Sequence, residues 1–143
     1  MRASGLIEEL TGDRQRDRSG GSLKLIQEVR EGFTFARAER AYKRLGFTLE
    51  EVADSVGVPP RTLHRRKQTG ARLDRTESEK MLRLARIGAA AFDVFGDEEL
   101  ARAWLRSPIR ALGDATPASL LDTDIGAQAV MDVLTRIEHG VYS

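Results

Sequence analysis

From Leu23 onward apolar residues return at spacings of three and four, the period of helices with one buried face. Leu23, Ile26 and Val29 form a first stripe, joined by Leu25 four positions before Val29, and Gly32 ends it. Thr34 is placed to cap a second helix through FARAERAYKRLG, in which Phe35, Ala38, Ala41, Tyr42 and Leu45 share a face before Gly46. Thr48-Leu49-Glu50-Glu51 has the form of a capping box and opens a third helix. Gly57 breaks that helix and Pro59-Pro60 suits the start of the next. A second capping box, Thr76-Glu77-Ser78-Glu79, is expected to start the longest helix, with Leu82, Ala85, Ala89, Phe92 and Phe95 keeping its period to Gly96. Asp97 caps a short helix carrying Leu100, Trp104 and Leu105, which Ser107-Pro108 stops. After the turn-rich IRALGDAT, Thr116-Pro117 is a cap followed by proline. A last helix is expected from about Thr123, with Ile125, Val130, Val133, Leu134 and Ile137 apolar, up to Gly140. No long segment alternates with the two-residue period of a half-buried strand, so the expected fold class is all-α, with seven or eight helices and no internal repeat.

The same pattern divides the chain. Residues 1–22 read as a flexible N-terminal segment, because TGDRQRDRSGGS is too polar to bury itself. Within it, LIEEL is expected to form one helical turn that folds only against a partner. Residues 23–75 form a helix-turn-helix region, and residues 76–143 a C-terminal helical domain.

The helix-turn-helix rests on spacing. Ala53 is small enough for a second helix to cross. Gly57, four positions later, tolerates left-handed dihedrals, and Leu63, six further on, is an inward anchor. Val52, Val56 and Val58 complete the corner. With Leu63 inward, the cations of RTLHRRKQT face out. Duplex DNA is a dense line of phosphates, and arginine also pairs bidentately with guanine. Arg61, Thr62, His64, Arg65, Arg66, Lys67 and Thr69 are therefore the candidate contacts to double-stranded operator DNA. The bland alternative is a packing unit whose arginines are merely solvated. Such readers usually pair to span half-sites about 34 Å apart, so a homodimer is expected. Gly88 to Phe92, GAAAF, fits either a dimer seam or burial within one chain.

Charge supports the division. The chain of 143 residues has a net charge of +1, yet residues 1–75 hold 16 Lys and Arg against 11 Asp and Glu, while residues 76–143 hold 7 against 11. A basic front and an acidic rear point to a polyanion at one end and a different partner at the other. The absence of cysteine excludes disulfides and thiolate metal sites. No apolar run approaches the roughly 18 residues of a membrane span, and the start lacks the apolar centre of a secretory signal. A cytoplasmic location without membrane contact is expected. The two histidines, His64 and His139, are far apart, and no cluster has metal-ligand spacing. No enzyme activity, cofactor or metal is expected. The end, RIEHGVYS, is apolar and aromatic where chain ends are usually polar. It either folds back on its own core or inserts into another protein. Trp104 carries the same two readings, core anchor or interface hot spot.

The helix-turn-helix TLEEVADSVGVPPRTLHRRK is followed by ESEKMLRLARI, by VFGDEELARAWLRSP and by ALGDATPASLLDTDIGAQAVMDVLTRIEHGVYS. In this order, over residues 30–143, the chain resembles the Xre/MbcA/ParS-type antitoxins of RES-Xre toxin–antitoxin pairs; the first 20 or so residues have no counterpart there. The resemblance implies a cognate RES-domain toxin that consumes NAD, covered at its active site by the C-terminal domain, and a dimer that represses its own operon through the helix-turn-helix. Carried over by position, it makes Trp104, Pro108, Leu112, Glu138, His139, Gly140, Val141, Tyr142 and Ser143 candidates for the toxin interface. The alternative is a stand-alone helix-turn-helix transcriptional regulator whose C-terminal domain dimerises or senses a ligand.

Overall fold

Several helix starts in this chain are set by side-chain caps, which satisfy amides that the first turn leaves bare. The computed structural model describes residues 4–11 and 20–140. Among them it shows eight α-helices: α1 Ser4–Thr11, α2 Gly20–Glu31, α3 Phe35–Arg44, α4 Leu49–Val56, α5 Pro60–Thr69, α6 Arg75–Phe95, α7 Glu98–Leu105 and α8 Asp124–Glu138. Two short 3-10 turns, Arg110–Leu112 and Pro117–Leu120, lie between α7 and α8. The fold is all-α, as the periodicity predicts. Thr34, Thr48, Asp97, Thr116 and Thr123 cap the elements expected of them.

The longest helix starts earlier than the sequence pattern predicts. Its cap is Asp74, whose Oδ1 accepts from the Glu77 amide at 2.7 Å, while Glu77 Oε1 accepts from the Asp74 amide at 2.8 Å. Thr76 lies inside the first turn. Leu73 is buried and its amide donates to Phe33 O, so the chain is already fixed against the core one residue before the cap. Ser78 is buried and accepts from the Phe33 amide.

α6 is the central strut, packed by α1, α2, α3, α4, α7 and α8. A single apolar core runs from Leu6 on α1 to Leu134 on α8, so the regions on either side of residue 75 share one interior. Gly88 lies where that interior is closely packed. A methyl group there would meet Leu45 Cδ2 at 2.2 Å and Leu6 Cδ2 at 2.9 Å. The run Gly88 to Phe92 thus serves close approach within one chain.

Two sequence expectations change. Ser4–Thr11 is not part of a flexible lead-in: Leu6, Ile7 and Leu10 are buried against α3 and α6 of the same chain. Burial on a ready-made surface stabilises a helix too short to persist alone. Residues 12–19 and the terminal Val141, Tyr142 and Ser143 lie outside the described residues. The α2 stripe also splits. Leu25 and Val29 face the core, whereas Leu23 and Ile26 are exposed.

Candidate functional site

The corner between α4 and α5 has the geometry its spacing requires. Ala53 is fully buried at the crossing and its carbonyl accepts from the amides of both Gly57, at 2.8 Å, and Val58, at 3.1 Å. Gly57 adopts φ 82°, a left-handed conformation that a side chain would strain. Leu63 is buried as the inward anchor of α5.

The outer side of α5 is less free than its composition implies. Arg66, expected to face outward, turns to α6 and forms a bidentate pair with Glu77, Nε to Oε1 at 3.2 Å and Nη2 to Oε2 at 3.1 Å. Glu77 is buried, and its hydrogen bonds hold the Arg66 guanidinium further above its ordinary pKa. Lys67 is tied to Glu39 of α3 at 2.8 Å, which pulls that carboxyl below the usual range. His64 Nε2 lies 3.3 Å from Glu50 Oε2. Thr69 Oγ1 donates back to Arg65 O, and Thr62 is half-buried. Arg61 and Arg65 are exposed and have no ion-pair partner among the described residues. Four positions apart, they stand one above the other on a single face. Of the seven candidates, these two present unengaged guanidinium groups.

In the C-terminal half, Trp104 is half-buried and packs on Phe95 with ring centroids 5.6 Å apart and the rings tilted by 45°. Leu112 is half-buried, in the 3-10 turn that packs on α8. Pro108, Glu138, His139 and Gly140 are exposed. Leu100 and Ile125, which the sequence reading counts among the apolar positions of their helices, are instead exposed, the latter 85%. Both were legible by phase: Ile125 is out of register with the buried series Ala127, Val130 and Val133, and Leu100 with Ala101 and Leu105.

Arg106 carries no sequence signal, yet it joins the halves. Its guanidinium donates to both oxygens of Glu51, at 2.9 and 2.8 Å, and to Gly46 O, and it lies over the Phe47 ring. Beside this clasp a cleft of about 610 Å³ opens between α4 and the second 3-10 turn, with Asp54, Ser119 and Asp122 in its walls. Among the described residues no group of His, Asp and Glu could hold a metal, and no helix is long and apolar enough to cross a membrane.

Known proteins share this arrangement. Residues 24–86 match the antitoxin Xre-like helix-turn-helix domain, and residues 90–140 the antitoxin Xre/MbcA/ParS C-terminal toxin-binding domain. An antitoxin Xre from Yersinia enterocolitica is 36% identical over 120 residues, covering 83% of this chain and 81% of that protein. A Prs ADP-ribosylating antitoxin from Sphingobium sp. is 25% identical over 127 residues, 82% of this chain and 80% of its own length. Among solved structures, the Mycobacterium tuberculosis MbcT-MbcA toxin-antitoxin complex contains a chain with TM-score 0.57 and 30% identity, covering 74% of this chain and 94% of that one. The two domain matches follow one another along the chain, the Yersinia relative is similar over most of both lengths, and the chain belongs to the Xre/MbcA/ParS family of antitoxins.

Proposed function

We propose that this antitoxin neutralises a RES-domain toxin that consumes NAD, covering the toxin's active-site entrance with its C-terminal half. As a homodimer in the cytoplasm, it also represses its own operon through α5. The observation that carries the reading is the continuous succession of an Xre-like helix-turn-helix and a toxin-binding domain along one chain. The NAD chemistry draws support from the Sphingobium relative, since ADP-ribosyl transfer takes its group from NAD. On α5, Arg61 and Arg65 reach the duplex. Arg66 acts through Glu77 to hold the helix in place, with Lys67 and His64 held in turn by Glu39 and Glu50. On the toxin side, exposed Pro108, Glu138, His139 and Gly140 and the partly buried Trp104 and Leu112 contact the toxin together with the terminal Val141, Tyr142 and Ser143.

Co-expression with the product of the adjacent reading frame tests this reading. The two are expected to co-purify, and the free toxin to deplete NAD. Deleting residues 140–143 is expected to leave the helical signal unchanged and to restore NAD consumption. A truncated chain that still suppresses NAD loss fully would overturn the role of the terminal segment. A chain that binds its own promoter but retains no toxin would instead be a stand-alone regulator.

A further inference from the structure

We propose that Ile125, in the first turn of α8, is an apolar anchor of the toxin interface. The proposal deepens the reading given above and rests on it. Locally the fold has no use for this side chain. Thr123 caps the helix, its Oγ1 accepting from the Gly126 amide at 2.9 Å, and Ala127, Val130, Val133 and Leu134 fill the core from the other side of α8. At 85%, Ile125 is the most exposed large apolar residue among those described. A lone exposed apolar side chain is ordinary; what distinguishes this one is its presentation.

The turn that carries it is held from three directions. Arg83 of α6 donates through Nε to Leu121 O at 3.2 Å and through Nη1 to Asp124 Oδ1. The Thr123 cap closes the turn from within. Gly126 is pressed so near Leu120 that a methyl group on it would lie 1.9 Å from that residue's carbonyl oxygen. An apolar group on backbone fixed beforehand loses less entropy on docking, as an interface anchor requires. Helical phase then joins Ile125 to the toxin side. Steps of three and four lead from it through Gln128, Asp132 and Arg136 to His139, and all five are exposed. His139 is among the residues proposed above to meet the toxin. At about 1.5 Å per residue it stands about 20 Å from Ile125, within the breadth of one ordinary interface. Both lie within residues 90–140, the stretch matched to the toxin-binding domain. One apolar residue on a stripe otherwise polar gives the contact a dry point with a wet rim.

Titration calorimetry of the full chain against the product of the adjacent reading frame tests the proposal. Ile125→Ser is expected to weaken binding by about tenfold or more. Its melting temperature and operator gel shift are expected to match wild type, because the position adds nothing to the core. Ile125→Leu, which keeps the apolar volume, is expected to bind nearly as wild type does. Leu23→Ser, at a residue 66% exposed but outside the toxin-binding match, is expected to leave toxin affinity unchanged. A wild type that retains no toxin would overturn the antitoxin reading and the anchor together. An Ile125→Ser chain that binds the toxin as tightly as wild type would overturn the anchor alone. If that variant also lost a dimer seen for wild type in sedimentation, the isoleucine would be covered by a second copy instead.

Discussion

Neighbouring arginines on α5 have opposite duties. Arg65 projects into solvent, whereas Arg66, a 100° turn away, neutralises the buried Glu77. In the sequence they look alike, because the carboxylate that separates them lies eleven residues further on. Arg65→Ala is expected to leave the melting temperature within about 1–2 °C of wild type, as surface substitutions do. It should weaken operator binding and flatten its salt dependence by about one unit if the lost contact is a phosphate. Arg66→Ala instead strands a buried carboxylate. Because Arg66 itself is a quarter exposed, a cost of about 1–3 kcal/mol is expected, below that of a fully buried pair. Chemical denaturation of the two variants, set beside their gel shifts at two salt concentrations, separates the roles. Gly88→Ala tests a close contact in the core. Leu45 and Leu6 are both buried and have nowhere to retreat, so overpacking is expected to cost about 1–3 kcal/mol in the same denaturation assay.

At the scale of elements, what was legible was whatever the local chain decides. Thr34, Thr48, Asp97, Thr116 and Thr123 cap their helices because a short polar side chain ahead of an apolar period has one nearby use. The start of α6 was misread for the same reason. Two overlapping candidates, Asp74 with Glu77 and Thr76 with Glu79, are locally equivalent, and the burial of Leu73 against Phe33 decides between them. α1 was misread because its stability is not local. Eight residues cannot sustain a helix alone, and the groove that receives Leu6 and Leu10 is built by α3 and α6, up to eighty residues away. Leu6→Ala and Leu10→Ala are each expected to cost about 2–5 kcal/mol, the range for a fully buried leucine. A flexible lead-in would predict no change. Hydrogen exchange at Leu6 to Thr11 gives a second reading: protection there should approach that of α3 if the helix belongs to the core.

For the whole molecule, the informative feature is how the toxin-binding half is fastened to the DNA-reading half. Three arginines cross that junction. Arg44 pairs with Glu98 at 3.1 and 2.7 Å, Arg102 donates to Arg44 O at 3.0 Å, and Arg106 grips Glu51. None of this was visible in the sequence, where the partners stand more than fifty residues apart. Hydrogen bonds from Arg44, Arg106 and Lys67 hold the carboxyls of Glu98, Glu51 and Glu39 below their ordinary pKa of 4.5. A carboxyl depressed in the folded state binds its proton more readily when unfolded. Its contribution is therefore complete above about pH 4.5 and lost as pH falls through the folded value. The melting temperature should stay level from pH 7 to about pH 5 and then drop. At the alkaline end, burial and then Glu39 push the Tyr42 hydroxyl up to about 12, so that its share is lost between about pH 10 and pH 12. Glu51→Gln should lower the neutral plateau and make the acid drop shallower, because the variant has one fewer depressed carboxyl to protonate. Glu51 also closes the capping box of α4 with Thr48, and the same substitution keeps an oxygen able to accept there. A shallower drop would therefore report the charge on Glu51 that Arg106 holds first and the Thr48 amide second. Scanning calorimetry of wild type and variant between pH 3 and pH 7 decides it: parallel curves would mean that Glu51 carries no pH-sensitive share of the junction, and that the acid drop belongs to Glu98 and Glu39.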